Sequence, residues 1–148
     1  MKRTLWISGM LLALASLLVV ACGSGASSPK NDAVKLDQLP KNADGHAEIS
    51  VQQLAELVES EDLTLVNVHV PYEGEIPQTD LFIAYDQIAD HLGQLPDKDA
   101  PIVLYCRSGG MSTSAAGELA ALGYTKVLEV DGGFNAWQAA GYEFVDNR

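Results

Sequence analysis

The chain has 148 residues, 47% apolar and 20% charged, which suits one compact domain with a hydrophobic core and excludes a disordered polyelectrolyte. A formal net charge of −11 repels phosphate backbones, so nucleic acid is not an expected partner. The same acidity slows small anionic substrates unless a local cation offsets it, and its plainest role is solubility.

Lys2 and Arg3 open the chain, and residues 5–20 are apolar apart from Ser8, Gly9 and Ser16. At roughly 16 residues this run is short of the ~20 that span a bilayer as a helix. A basic start followed by a short apolar stretch is the layout of a secretory signal peptide, here residues 1–21. Its removal takes away two bases and no acid, leaving seven basic side chains against 20 acidic and a net charge of −13. The segment ends Val19-Val20-Ala21-Cys22, which resembles a bacterial lipobox. The resemblance implies that Cys22 becomes the new N-terminus and takes a diacylglycerol by thioether linkage, with palmitate-like chains holding the protein to the extracytoplasmic face of a membrane. The alternative is an uncleaved membrane helix with an incidental cysteine. The polar, glycine- and serine-rich residues that follow favour cleavage and read as a flexible tether over residues 22–43. Gly23 stands where an aspartate would signal inner-membrane retention; the type of envelope is left open.

Residues 44–148 read as the domain proper, with no internal repeat. Ala47–Ile49 is expected to be a short edge strand. Ser50 and Gln53 form a capping-box pair, and Val51, Leu54, Leu57 and Val58 recur at helical spacing behind them. Residues 63–68 are an apolar, β-branched run typical of a buried parallel strand. A loop with Pro71, Gly74 and Pro77 leads to a short strand at residues 81–83, then to a helix over residues 86–92 ended by Gly93. Ile102–Tyr105 is the next strand. After Cys106-Arg107-Ser108-Gly109-Gly110-Met111-Ser112 comes a helix of small residues to Leu122, with Gly123 behind it. Val127–Val130 is the last strand, and Asp131-Gly132-Gly133-Phe134 opens a short helix ending at Gly141. Strands alternating with helices predict an α/β domain with a mainly parallel sheet.

Open parallel sheets bind ligands beyond the carboxyl ends of their strands, and Cys106 falls between an apolar strand and a helix. Ser108, Gly109 and Gly110 permit a tight loop whose amides turn inward at a helix N-terminus, a setting that stabilises a thiolate or an anionic persulfide. The thiolate is the nucleophilic form, so such a loop would make Cys106 reactive. Once Cys22 is lipidated, Cys106 has no intrachain partner, and an unpaired thiol in an oxidising compartment calls for a reason.

CRSGGMS at residues 106–112 resembles the active-site loop of single-domain rhodaneses, whose common form is CRSG-x-RS. DGGFNAWQAAGY at residues 131–142 resembles the closing segment of that family, and LVNVHVPYEGEIP at residues 65–77 partly resembles its upstream segment. The likeness spans residues 45–144. It implies a rhodanese-like fold and a sulfurtransferase in which Cys106 accepts a sulfane sulfur as a persulfide. Amides from Arg107 to Ser112 would hold the outer sulfur, and Ser112 would add a hydroxyl donor. The implied partners are a small sulfur-containing substrate or a thiol-bearing protein, with no cofactor. Arg107 would steer an anionic donor or simply pair with a surface carboxylate. His69 replaces a lost cation or is a hydrogen-bonded strand-end histidine, and His69 and Glu73 are candidates for the pocket wall.

The chain departs from the family pattern where a second basic loop residue is Met111, where Asn67 and His69 replace an acid and an arginine, and where Glu75 replaces a histidine. Met111 removes a forked donor, so weak binding of thiosulfate-like anions is expected. A rhodanese fold kept only as a binding module on the envelope is the alternative. A cysteine phosphatase needs an arginine where Ser112 stands, which leaves nothing to grip phosphate. His46, His69 and His91 show no metal-ligand spacing, so no metal is expected. Trp137 and Phe134 read as core; Tyr72 and Tyr85 are candidates for the pocket rim.

Overall fold

Each short apolar run becomes a strand of one sheet in the computed structural model, which describes residues 34–146. The signal segment, Cys22 and the first part of the tether lie outside those residues. The strands are β1 (Ala47–Ile49), β2 (Thr64–Asn67), β3 (Leu81–Phe82), β4 (Ile102–Tyr105) and β5 (Val127–Val130), in the order β1-β5-β4-β2-β3. Every pairing in the sheet is parallel, so the expected α/β fold is the one observed. Parallel neighbours need crossover connections, and α1 (Val51–Ser60), a 3-10 segment (Tyr85–Gln94) and α2 (Gly110–Ala121) supply three of them, whereas a loop joins β2 to β3 and α3 (Gly133–Ala139) follows the last strand.

The side-chain period of two splits each central strand between two cores. Val66, Ile102 and Leu104 face α2 and the 3-10 segment, packing with Ala115, Leu119 and Ile88. Leu65, Val103, Tyr105, Leu128 and Val130 face α1 and α3, packing with Leu54, Leu57, Phe134 and Trp137. With both faces covered, β4 and β5 are buried throughout, the reason β4 reads as an unbroken apolar run and β5 as an apolar run broken only by Glu129. Phe134 and Trp137 are core residues, as the spacing suggests.

The capping box on α1 is present: Gln53 N–H donates to Ser50 Oγ at 3.2 Å, and Ser50 N–H donates to Gln53 Oε1 at 2.8 Å. Three expectations change in detail. The strand expected over residues 81–83 pairs only at Leu81–Phe82. The helix expected over residues 86–92 is a 3-10 segment that runs past Gly93 and breaks at His91, where φ is −117° and ψ is 22°. Its apolar side chains are held by the core, while the tighter winding lets the chain turn under α2. Packing also begins upstream of residue 44: Leu36–Gln38 is a 3-10 turn, Leu36 and Leu39 lie against the second core, and Lys41 bridges to Ala47. Asn42 closes the turn into β1, its Oδ1 taking the N–H groups of Asp44 and His46.

Candidate active site

Cys106 sits one residue past β4, at the carboxyl edge of the sheet, and is a free, buried cysteine only 2% exposed. The backbone around it is turned so that amides face the sulfur and carbonyls face away. Gly109 N–H donates to Cys106 Sγ at 3.1 Å, and the Ser112 hydroxyl lies 3.4 Å from the same atom. Gly109 adopts a φ of 102°, a conformation open to glycine, and this bend brings the loop back over the sulfur before α2 starts at Gly110.

The outward carbonyls are taken by α3. Phe134 N–H donates to Cys106 O at 2.9 Å, and Asn135 N–H donates to Arg107 O at 3.0 Å. This contact requires Gly133, because a Cβ there would lie 2.1 Å from Cys106 O. The two glycine-bearing motifs, far apart in sequence, are therefore two halves of one clamp.

Burial acts to raise the Cys106 pKa, but the Ser112 hydroxyl and the amides of Ser112, Ser108 and Gly109 outweigh it and hold the thiol below its ordinary value. The amides expected to surround the sulfur are thus represented by Ser108, Gly109 and Ser112. Met111 is partly buried and packs against the core cluster that contains Cys106, a packing role rather than a charged one.

Arg107 is half exposed and reaches Glu73. Its guanidinium lies 3.4 Å from Glu73 Oε2, and His69 Nε2 lies 3.2 Å from the same oxygen. Of the readings open for Arg107, the carboxylate pairing is the one observed. His69 is 5% exposed, its ring edge lies against Phe134, and its backbone N–H donates to Asn67 Oδ1. Asn67 in turn donates from Nδ2 to Gly74 O at 3.0 Å, so the residue in the family's acid position now holds the loop before Glu75. Glu75 itself pairs through its backbone with Val145. Glu73 and Arg107 line a shallow polar depression together with Phe134, Asn135, Gln138 and Asp146. Of the expected rim residues, Tyr72 stacks edge-on against Phe82 and Tyr85 packs against the core.

Sequence reasoning missed Glu129. It is 2% exposed in β5, and the Ser112 hydroxyl lies 2.6 Å from its Oε1. Burial pushes its pKa up to about 7, with the Ser112 hydroxyl opposing and the charges of Glu48 and Asp131 adding to the rise. The signal was an acid inside the run Val127-Leu128-Glu129-Val130, which is otherwise wholly apolar.

A family model described as "Rhodanese-like domain" matches residues 50–140. The thiosulfate sulfurtransferase GlpE of Pseudoalteromonas translucida is 36% identical over 101 residues, covering 66% of this chain and 94% of that relative. A sulfurtransferase of Allochromatium vinosum is 36% identical over 102 residues, with the same coverage of 66% and 94%. Among solved structures, a rhodanese-related protein from Thermoplasma volcanium superposes with a TM-score of 0.58 at 26% identity, covering 66% of this chain and 96% of that one.

Proposed function

Because the chain belongs to the rhodanese-like family, we propose that it is a sulfurtransferase whose Cys106 thiolate takes a sulfane sulfur and holds it as a persulfide. The observation that carries this reading is the convergence of the Gly109 amide and the Ser112 hydroxyl on Cys106 Sγ. With thiosulfate, the sulfur named by the first relative, the thiolate attacks the outer sulfur. A new S–S bond forms to Cys106, the S–S bond to the sulfonate breaks, and sulfite leaves with the electron pair. The charge that was on the thiolate then rests on the outer sulfur, where the same donors reach it. A thiolate acceptor completes the cycle by attacking that outer sulfur and releasing Cys106 as thiolate.

Thiosulfate is expected to be a poor donor here. The one basic residue of the loop, Arg107, is already paired with Glu73, and Met111 occupies the position of a second one. The residues therefore favour a donor or acceptor of lower charge, such as a persulfide or thiol on a partner molecule.

The same reading extends to the cell surface: the lipobox-like Val19-Val20-Ala21-Cys22 supports a lipid anchor at Cys22, with residues 1–21 removed and the domain on the extracytoplasmic face of a membrane. Incorporation of labelled palmitate into the wild type and not into a Cys22→Ala variant tests the anchor; equal labelling removes it.

The test of the chemistry is intact-mass measurement of the full-length protein after exposure to thiosulfate and to an organic persulfide. A gain of one sulfur that is absent from Cys106→Ser supports transfer through this residue. No gain with either donor overturns the enzyme. That outcome favours the alternative of a rhodanese fold used as a binding module, a reading that the 2% exposure of Cys106 keeps in view.

A further inference from the structure

Ser112 has one hydroxyl proton and three acceptors around it. They are Glu129 Oε1 at 2.6 Å, Gly109 O at 2.9 Å and Cys106 Sγ at 3.4 Å. A hydroxyl can donate to only one of the two ionisable groups at a time while accepting from the other. All three side chains are buried, so bulk water does not separate them. Glu129 also lies close behind the loop: a Cβ on Gly109 would sit 3.5 Å from its Oε1.

We propose that Glu129 and Cys106 share one titrating proton through the Ser112 hydroxyl, which makes Glu129 a positioning residue and proton store for the thiol. The inference deepens the sulfur-transfer reading and rests on Cys106 being its sulfur acceptor. In the resting pair Glu129 is a carboxylate, Ser112 donates to it, and the Cys106 S–H donates to Ser112 Oγ. Activation moves two protons one step each. The Sγ–H bond breaks as a new Oγ–H bond forms, and the old Oγ–H bond breaks as Oε1 gains a proton. The product is a Cys106 thiolate receiving the Ser112 hydroxyl, which in turn receives the O–H of a neutral Glu129 carboxyl. The negative charge has moved from carboxylate to sulfur with no change in the total.

The surroundings suit this exchange. Glu48 stands beside Glu129 in the register of β1 against β5, and Asp131 follows on the same chain end. Burial first, and then both carboxylates, favour the neutral form of Glu129 and push its pKa up to about 7, against the Ser112 hydroxyl. From the helix side the facing group is Ser112, and from the loop after β4 it is Cys106. Two groups coupled in this way lose their protons in steps that belong to the pair.

The experiment is the pH dependence of Cys106 carbamidomethylation by iodoacetamide, read as modified peptide from the full-length wild type, Glu129→Gln and Ser112→Ala. The wild type should show two ionisations. Glu129→Gln should show one, with up to about tenfold faster reaction just above the pH at which Glu129 titrates, since its amide donates permanently to Ser112. Ser112→Ala should also give one step, displaced to higher pH. Identical one-step profiles in wild type and Glu129→Gln overturn the proposal. A measurement on the wild type alone guards against misfolded variants. The carboxyl of Glu129, followed by carbon NMR, should show an inflection at the thiol titration that disappears once Cys106 is alkylated. A curve unchanged by alkylation also overturns it. Sulfur uptake in the same preparation separates the two claims: uptake with uncoupled titrations sinks the shared proton alone, and coupled titrations without uptake sustain the pair while sinking sulfur transfer.

Discussion

Phe134 donates its backbone N–H to the carbonyl oxygen of Cys106 at 2.9 Å, so the first turn of α3 and the reactive residue hold one another through a single peptide unit. The inward direction of the loop amides depends on this outward bond. A carbonyl tied to α3 leaves its peptide plane little freedom to rotate.

Gly133→Ala should break that tie. Its Cβ would sit 2.1 Å from Cys106 O and 2.8 Å from Arg107 C, both backbone atoms that cannot step aside. A loss of roughly 2–4 kcal/mol in urea unfolding is expected, together with slower alkylation of Cys106. A variant within about 0.5 kcal/mol of wild type would show that the contact is easily relaxed.

Glu73→Gln should release Arg107 toward the site. Thiosulfate turnover is expected to rise about three- to tenfold, and Met111→Arg should raise it further by restoring a forked cation. Both gains should shrink with added salt, since Arg107 is half exposed. Unchanged turnover in both variants would show that cation supply does not limit the reaction.

Glu129 links stability to pH with a definite sign. Its folded pKa of about 7 stands above the ordinary 4.5, so its contribution is fully present below about pH 4.5 and is lost as pH rises toward 7. Glu129→Gln has no such loss. Relative to wild type it should gain on the order of 2 kcal/mol between pH 4 and pH 8 in denaturant titrations, with most of the change complete by neutrality. A constant difference across that range would place the carboxyl in contact with water.

Ser50→Ala removes half of the capping box on α1. The expected cost is about 1 kcal/mol in urea unfolding, with sulfur uptake unchanged because the side chains of Ser50 and Gln53 bond only within this pair among the described residues and β1 stands two places from β4 in the sheet.

Local patterns carried much of the fold. The apolar runs of β4 and β5 and the Ser50–Gln53 pair are each readable within a few residues, because burial on both faces and capping leave short, strong marks. The winding of residues 85–94 did not show, since helical apolar spacing is shared by α and 3-10 forms and the choice is made by packing under α2. Residues 34–43 read as polar tether, although two leucines there reach the second core. At the site, Cys106 and its loop stand out by residue type, whereas the bond of Arg107 to Glu73 joins residues 34 apart and has no local signature. Glu129 was hidden for a related reason: a single acid in a strand declares itself only when the partner helix places a hydroxyl against it.

The cover over Cys106 sets the shape of whatever reaches it. With only 2% of the residue open to solvent, a blunt molecular surface meets the surrounding protein before it meets sulfur. A proteinaceous acceptor would have to offer its thiol at the tip of a narrow, extended arm, whereas large oxidising agents are kept at a distance. A cover of this kind acts as a sieve as well as a cradle, since only a slender group comes within bonding distance of the sulfur.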